Sequence, residues 1–462
     1  MGYTRKLLER ESKIGRPVRV GLVGAGQMGS GFIAQIARQK GVDITAVADV
    51  AVERAISALR NAGIDDVVQD GDTSVLSRAI EAGRHVVVND ALTLTKLPID
   101  LVIECSGVPE IAAKVALASL LGGKDVALMT VEADVTVGLL LARIAAQTGN
   151  IYTVCRGDEP VECLKLVEYV QDIGLEVVCA GKGKNNPLNS AATPAMLVDE
   201  AAAKGMNPRM LCSFVDGTKT MIEMAALANA ADLQLSKRSM NGPPATVPTL
   251  HDIFKPVSDG GILPSSGVVD YATGPVAPGV FVVAKADDDV VREELRYLKL
   301  GDGPYFAFYR PYHLASVEAV LSIGEVIIDR QASLAPAAWN ADVSAMAKRD
   351  LVVGEKIDGI GGEHVYGDAV SAVEARAGRE LPIGLASAAT LRRNVAKGTP
   401  ITYDDVTLDE TKTIVILRKL QDALLTDGLL EETQLLTDSV LEDSQLLTDS
   451  VLEDSHLLSL IK

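Results

Sequence analysis

Two lysines near the middle of the chain have the spacing expected of proton-transfer groups. Lys182 and Lys184 alternate with glycines and precede Asn185 and Asn186, at the end of an apolar run. A lysine in a dry site loses its proton near neutral pH and then serves as an acid or base. The flanking glycines would let a ligand approach the backbone. The pattern therefore predicts that Lys182, Lys184 and Asn186 are catalytic. Asn185 is predicted to bind substrate, because an amide both donates and accepts hydrogen bonds; the alternative is a solvated loop.

A second pair of charged residues lies on a predicted helix. Lys219 and Glu223 are four residues apart, so they share one helical face. We predict that both are catalytic. The alternative is an ion pair on the surface.

Acidic residues and one basic cluster suggest two further sites. Asp158 and Glu159 offer oxygen ligands that suit a divalent cation such as Mg²⁺ or Mn²⁺, and Glu132 and Asp134 lie upstream of them. The residues predicted to bind an anionic group of the substrate are Arg310, Tyr312 and His313. Arginine suits this task because its planar guanidinium makes two bonds to a phosphate.

A glycine-rich turn predicts where a dinucleotide binds. The strand-like run 18–23 precedes GAGQMG at 24–29, and residues 30–40 have helical spacing. In such a βαβ unit the first glycine permits a tight turn, the second admits the pyrophosphate and the third allows close packing. The free N–H groups at the start of the helix attract the phosphates. The residues predicted to bind the cofactor in this turn are Gly24, Gly26, Gln27, Met28 and Gly29.

An acidic residue at the end of the second strand bears on the choice of cofactor. Asp49 lies 20 residues after Gly29, where a carboxylate accepts the ribose hydroxyls of NAD and repels the extra phosphate of NADP. Arg54 is close enough to soften that preference. We therefore expect NAD or NADP, with NAD favoured. Ser106 and Gly107, which follow Cys105 at the end of another apolar strand, are predicted to line the nicotinamide side.

The elements that must position these residues alternate between strand and helix. Such alternation predicts an α/β fold that opens with a doubly wound parallel sheet of the Rossmann type. We expect a dinucleotide-binding domain (1–155), an α+β substrate and dimerisation domain (156–335), a small β-rich module (343–407) and an acidic tail (408–462). In the tail QLLTDSVLEDS occurs at 434–444 and again at 445–455. This repeat suits a helix, or a dispensable duplicated tail.

Composition excludes several classes of function. The formal net charge of −18 argues against a nucleic acid partner. The chain has no long apolar run of membrane-spanning length and no signal-peptide pattern, so we expect a cytoplasmic protein that does not bind membranes. Five cysteines without a CxxC pair and scattered histidines predict free thiols and no zinc site.

Several sequence blocks resemble one family. They are GAGQMG, VEADVT, GDEP, AGKGKNNPLN, DGTKTMIEMA, SGVVDY, APGVFVVAK and GPYFAFYRPYHL. Over roughly residues 5–420 the chain resembles homoserine-dehydrogenase-like proteins with a C-terminal SAF domain, in particular the 1-deoxy-D-xylulose 5-phosphate reductoisomerase-like type. KRDLVVGEKID and NVAKGTPITYDDV resemble the start and end of the SAF domain.

The resemblance implies a homodimeric oxidoreductase with a small-molecule substrate. It implies conversion of 1-deoxy-D-xylulose 5-phosphate to 2-C-methyl-D-erythritol 4-phosphate, a step of isoprenoid precursor synthesis, with NADPH and a divalent metal. Asp49 departs from this pattern, because it favours NAD. Dehydrogenation of homoserine or another hydroxy acid or sugar acid, and a non-catalytic role as a cofactor-binding regulatory protein, are the alternatives.

Overall fold

The N-terminal part of the chain is a doubly wound sheet, as predicted. A computed structural model describes residues 2–426. The strands of this sheet are β1 (Val18–Val23), β2 (Val42–Ala48), β3 (Val67–Gln69), β4 (His85–Val88), β5 (Leu101–Glu104), β6 (Asp125–Leu128) and β7 (Tyr152–Val154). All are parallel, in the order β3-β4-β2-β1-β5-β6-β7. The helices are α1 (Tyr3–Ile14), α2 (Gln27–Ile36), α3 (Val52–Asn61), α4 (Thr73–Glu81), α5 (Pro109–Leu121) and α6 (Val131–Thr148).

Two glycines of the turn between β1 and α2 are required by the packing of the protein itself. Gly24 has a φ of 92°, in the left-handed region that favours glycine. A Cβ at Gly29 would lie 2.0 Å from the carbonyl oxygen of Gly24. Any side chain at Gly29 would therefore push α2 away from the sheet.

The second domain is built around a mixed sheet, in agreement with the predicted α+β class. Its strands are β8 (Glu176–Lys184), β9 (Gln234–Leu235), β10 (Val268–Thr273), β11 (Val280–Lys285) and β12 (Tyr305–Arg310). The strand order is β12-β11-β8-β10-β9, so β8 is central. The helices are α7 (Glu159–Asp172), α8 (Val198–Ala203), α9 (Pro208–Val215), α10 (Thr218–Ala230), α11 (Leu250–Ile253), α12 (Asp289–Tyr297) and α13 (Ala315–Gly324).

Strand β8 places both predicted lysines on one face. Side chains alternate along a strand, so Lys182 and Lys184 point to one side of the sheet and Gly181 and Gly183 to the other. A Cβ at Gly181 would lie 2.0 Å from the carbonyl oxygen of Asp270, and one at Gly183 would lie 2.1 Å from the nitrogen of Ala277. On the face opposite the lysines, these glycines therefore make room for the neighbouring backbone.

The end of the predicted substrate domain packs on the dinucleotide-binding domain. Helix α13 buries Ala319 and Ile323 in the same apolar cluster as Phe32 and Ile33 of α2. A Cβ at Gly31 would lie 2.7 Å from the hydroxyl of Ser316, so the two helices are in close contact. Residues 315–324 thus belong physically to the first domain, because their apolar face finds its partner there.

The C-terminal part is β-rich but shares its core with the second domain. Strands β13 (Ala341–Ala347) and β14 (Val365–Ser371) pair antiparallel, as do β15 (Ala389–Leu391) and β16 (Val406–Leu408), and α14 spans Ala372–Ala377. Side chains of β13 and β14 lie in one apolar cluster with those of α10. The predicted module 343–407 therefore does not have a separate core.

The first part of the predicted acidic tail is folded. Helix α15 (Thr413–Thr426) begins where Glu110 of α5 accepts hydrogen bonds from the N–H groups of Thr413 and Ile414, at 3.0 and 2.9 Å. Gln421 accepts one from the N–H of Leu140 at 3.0 Å. The expectation of a tail from residue 408 is wrong for this stretch, since its apolar face packs on the first domain. The repeat at 434–455 lies outside the described residues.

Two expectations from composition concern thiols and membranes. All five cysteines are free. None of the helices within residues 2–426 has both the length and the apolarity needed to cross a bilayer.

Candidate active site

A cavity of about 430 Å³ lies where the carboxyl ends of the parallel strands meet the second domain. Ligands of doubly wound sheets bind at this edge. The first domain contributes Gly26, Gln27, Met28, Cys105, Ser106, Gly107, Met129, Thr130, Glu132 and Cys155. The second domain, together with the start of α13, contributes Arg156, Asp158, Glu159, Lys182, Gly183, Lys184, Asn185, Asn186, Met210, Ser213, Phe214, Lys219, Thr220, Glu223, His313 and Ala315.

The glycine-rich turn lines one end of the cavity, called the cofactor end because the sequence predicts cofactor binding there. Gly26 precedes the first residue of α2, and no side chain caps this helix. A Cβ at Gly26 would meet no atom within 4 Å, so the space above it is open. Gly24 and Gly29, in contrast, lie beneath the cavity and shape the turn. This arrangement presents free N–H groups to a phosphate.

Asp49 directly follows β2, as predicted, but its carboxylate already has hydrogen-bond partners within the protein. Its carboxylate is 2% exposed and accepts four hydrogen bonds: from the N–H groups of Ala25 and Ala51 at 2.7 and 2.8 Å, and from Arg54 at 2.6 and 3.1 Å. A carboxylate has about four lone-pair positions, so none is left for ribose hydroxyls. The reason for favouring NAD is therefore lost. Burial would raise the pKa of Asp49, but these hydrogen bonds lower it overall.

Lys182 lies between two buried carboxylates. Its Nζ donates to Glu159 Oε1 at 2.7 Å and also to Glu223 Oε2. Burial opposes its charge, but both carboxylates outweigh that effect and raise the pKa of Lys182. The premise that a dry site lowers the pKa of this lysine is wrong, because the site is dry but strongly acidic.

Lys219 extends the same charged chain toward the first domain. Its Nζ lies 3.2 Å from Glu132 Oε1 and 3.8 Å from Glu223 Oε1, and all three side chains are largely buried. The alternative of a surface ion pair is thereby excluded. Burial again opposes the charge, yet Glu132 and Asp158 raise the pKa of Lys219.

Two carboxyl groups of the cluster have raised pKa values. Burial, more than the opposing charge of Lys219, raises the pKa of Asp158 to about 8. Burial and the charge of Glu159 raise the pKa of Glu223 to about 7. In Glu159 the opposite occurs, because Lys182 and His313 lower its pKa despite burial. Neighbouring carboxyls with separated pKa values are the usual basis for acid and base roles.

Lys184 is the lysine whose pKa is lowered as predicted. Burial and the charge of Lys182 lower the pKa of Lys184 to about 8. Its Nζ donates to the carbonyl oxygens of Asn186 and Phe214, both at 2.8 Å. An ammonium has three N–H bonds, so one remains for a ligand in the cavity. Asn185, which is exposed, and Asn186 line the same end.

Of the predicted anion-binding residues, His313 alone lines the cavity. Its Nε2 lies 3.2 Å from Glu159 Oε1, and its Nδ1 lies 3.0 Å from the carbonyl oxygen of Gly157. Arg310 forms ion pairs with Glu162 and Glu318, and its guanidinium lies 4.8 Å from the ring of Tyr312. Two carboxylates already neutralise Arg310, so the structure does not support its role in binding substrate, nor that of Tyr312.

The sequence did not single out every residue that faces the cavity. Glu132, in the first turn of α6 after the carboxyl end of β6, was noted only as an acidic neighbour, although its position at the switch edge was a usable signal. Asp134 lies two residues on but points away, toward the hydroxyl of Tyr152 at 2.9 Å. Phe214 contributes a backbone carbonyl, for which the sequence carries no signal.

The predicted cation site has a third candidate ligand. One oxygen each from Asp158, Glu159 and Glu223 lies within 4.8 Å of the others. These oxygens suit a hard cation. However, Lys182 already bonds two of the three carboxylates, so a divalent cation and this ammonium compete for the same oxygens.

Two family models match the chain in succession. Residues 24–154 match the NAD-binding domain of homoserine dehydrogenase, and residues 157–319 match the catalytic domain of the oxidoreductase DRL. The cavity lies at the junction of the two matches. The chain is therefore an NAD(P)-dependent oxidoreductase. Neither match extends over the β-rich module.

The solved structures that are similar to this chain include three dehydrogenases. A probable dehydrogenase from Thermotoga maritima is 12% identical, covers 70% of this chain and 91% of its own, and has a TM-score of 0.41. A scyllo-inositol dehydrogenase from Lactobacillus casei is 14% identical, with coverage of 69% and 91% and a TM-score of 0.40. A myo-inositol 2-dehydrogenase from Lactobacillus plantarum is 11% identical, with coverage of 69% and 91% and a TM-score of 0.38. No curated protein matches the chain.

Proposed function

We propose that this oxidoreductase uses NADPH to reduce a small, polyhydroxylated, anionic substrate. The observation that carries the proposal is the buried charge cluster beside the cofactor turn. There, the ammonium groups of Lys182 and Lys219 pair with buried carboxyl groups, and that of Lys184 lies in the same cavity. Such a site stabilises charge that develops on a substrate oxygen and supplies a proton to it.

Arg54 supports NADP as the cofactor. Its side chain is 52% exposed and is held by Asp49 at the end of β2, where the ribose of a dinucleotide lies in this fold. An arginine at that position accommodates the 2′-phosphate. Asp49 then serves to orient the arginine and no longer selects against the phosphate.

The side chains of the cluster divide the chemical work. When bound, the nicotinamide supplies the hydride. Glu223 and Asp158, protonated near neutral pH, supply the proton that the reduced oxygen requires. Lys182 and Lys219 stay charged and stabilise the negative oxygen before it is protonated. Asn186, beside Lys184, orients the substrate hydroxyls.

The substrate that the sequence resemblance implies fits this division of work. 1-Deoxy-D-xylulose 5-phosphate first rearranges to a branched aldehyde with the same atoms. One hydride and one proton then give 2-C-methyl-D-erythritol 4-phosphate, and NADPH becomes NADP⁺. The free N–H of Lys184 and the amides of Asn185 and Asn186 are the groups that would hold the phosphate.

A divalent cation fits the carboxyl cluster in ligand type but competes there with Lys182. Asp158, Glu159 and Glu223 would hold it, and it would polarise a substrate oxygen. Lys182 must leave two of these carboxylates first. No step proposed above depends on the metal.

A spectrophotometric assay tests the proposal. We expect NADPH absorbance to fall with 1-deoxy-D-xylulose 5-phosphate, measured with and without Mg²⁺ or Mn²⁺. L-Homoserine with NAD⁺ or NADP⁺ is the second substrate, because residues 24–154 match the corresponding NAD-binding domain. NADPH binding, followed by fluorescence, without turnover of either compound would contradict both named reactions and leave the oxidoreductase class intact.

Two features implied by the resemblance belong to the same proposal. We propose a homodimer, to be measured by light scattering, in which a monomer mass would be contrary evidence. We also propose that the β-rich segment 343–407 is a SAF-like module. The antiparallel pairing of β13 with β14 and of β15 with β16 supports its β-rich character.

A further inference from the structure

A lysine of the β-rich module is buried inside the second domain. Lys348 follows the last residue of β13, and its side chain is 2% exposed. Its Nζ lies 2.8 Å from Asp216 Oδ2 and donates to the carbonyl oxygens of Ala192 and Gly362, both at 2.7 Å. This ammonium lies outside the cavity lining, so it serves neither substrate nor cofactor directly.

The partner of Lys348 sets the start of the helix that carries two residues of the charge cluster. Asp216 lies between α9 and α10 and is fully buried. Its Oδ1 accepts a hydrogen bond from the N–H of Thr218 at 2.9 Å, at the first residue of α10. Gly217, between them, has a φ of 91° and allows the sharp turn. The carboxylate therefore fixes both the position and the direction of α10.

Asp216 and Gly217 form the joint between α9 and α10. Residues on both sides of this joint face the cavity. Before it, the carbonyl oxygen of Phe214 accepts a hydrogen bond from Lys184. After it, Lys219 and Glu223 lie on the first turns of α10 and face the cavity. A small displacement at the joint thus changes the distances among Lys184, Lys219 and Glu223 together.

The module contacts this segment at two further points. The N–H of Gly367 in β14 donates to the hydroxyl of Thr218 at 2.8 Å. Gly361 has a φ of 64°, and a Cβ there would lie 2.1 Å from the carbonyl oxygen of Arg209 in α9. The module is therefore in close contact with the start of α9 and with the start of α10.

A buried ion pair is a poor source of stability, because the two charges lose their hydration. An apolar contact would hold the module at least as well. An ion pair with further hydrogen bonds does define one geometry, since each donor must meet its acceptor. Catalytic side chains need such a single, defined geometry in the residues that support them.

We propose that Lys348 is a positioning residue for the reaction. Through Lys348, the β-rich module determines the geometry of the active site. The proposal rests on the reductase function proposed above. Lys348 holds Asp216 in place, and Asp216 in turn fixes the positions of Lys219 and Glu223.

The test compares Lys348→Met with Arg418→Met in the full-length protein. Arg418 is a matched control: it pairs with Asp342 of β13, both side chains are 3% exposed, and neither lines the cavity. For Lys348→Met we expect amide hydrogen exchange over residues 212–223 at least about tenfold faster. We also expect kcat with 1-deoxy-D-xylulose 5-phosphate to fall at least about tenfold. The Kd of NADPH should stay within about twofold, because the cofactor turn is untouched. Arg418→Met should leave exchange in 212–223 and kcat unchanged.

Asp216→Asn is the second variant, for use if Lys348→Met does not fold. It preserves the shape of the side chain and the bonds of Lys348 to carbonyl oxygens, and it should reproduce the faster exchange and lower kcat. Unchanged exchange in 212–223, equal acceleration in Arg418→Met, or faster exchange with an unaltered kcat would each overturn the proposal. If the wild type does not turn over the substrate, the proposed function fails. Hydrogen exchange then still decides whether Lys348 holds the joint.

Discussion

The two ends of the cavity present different chemical groups to a ligand. At the cofactor end the protein offers backbone N–H groups and the open space above Gly26. At the reactive end it offers paired charges, in which Lys182 contacts Glu159 and Glu223. The first end needs a shape that local sequence produces, whereas the second needs side chains from β8, α7 and α10 to meet. A substitution should therefore change mainly cofactor affinity at one end and the rate at the other.

The largest effect is expected from Glu223→Gln. The amide cannot supply the proton that the raised pKa of Glu223, about 7, keeps available near neutral pH. Positioned acids contribute about 10²–10⁴-fold, and we expect kcat to fall within that range while NADPH binds normally. Steady-state kinetics and fluorescence titration measure the two quantities. Glu318→Gln, a carboxylate outside the cavity, is the control. A normal kcat in Glu223→Gln would remove Glu223 from the chemistry.

At the cofactor end, Arg54→Ala should separate NADPH from NADH. Hydrogen bonds to a charged group contribute about 1.5–3 kcal/mol, which corresponds to about 10–150-fold in affinity. We expect KM for NADPH to rise by that factor and KM for NADH to change little. Equal losses for both cofactors would show that Arg54 does not meet the 2′-phosphate.

The charge of Lys184 should have a smaller effect, which is on KM for the substrate and depends on pH. Its pKa is lowered to about 8, so it is mostly charged at pH 7 and loses its charge as the pH rises through 8. Binding of an anionic substrate should therefore weaken above pH 8, with KM rising about tenfold per pH unit as the charged fraction falls. In Lys184→Gln KM should be raised at pH 7 and lose this dependence. A wild-type KM that is flat from pH 7 to 9.5 would contradict the assignment.

The smallest effect on stability is expected from Gly26→Ala. Its φ is −69° and its Cβ meets open space, so the free energy of unfolding should change by less than about 1 kcal/mol. Cofactor affinity should nevertheless fall, because the methyl group lies where the pyrophosphate approaches. Gly29→Ala, in which the Cβ meets the carbonyl oxygen of Gly24, should lower the melting temperature. If the two variants behaved alike, the distinction between a binding glycine and a packing glycine would be lost.

The same contrast explains what the sequence could predict. The turn at 24–29 was predictable because its strand, glycines and helix are adjacent in sequence. The contact between Lys182 and Glu223 spans 41 residues and depends on how α10 packs, so neither the pairing nor the raised pKa of Lys182 followed from spacing. Asp49 misled for a related reason: one of its four hydrogen-bond donors is the N–H of Ala25, which is 24 residues away in sequence and reaches the carboxylate only in the fold.

The alternation of glycine and lysine along β8 has a consequence for how this sequence can change over evolutionary time. A strand exchanges its two faces whenever its register moves by one residue. One inserted residue before Gly181 would turn both ammonium groups onto the face where the backbones of Asp270 and Ala277 leave no room. Residue types near the start of β8, at Glu176, can therefore change during evolution. The number of residues in β8 up to Lys184 should be as invariant as the lysines themselves.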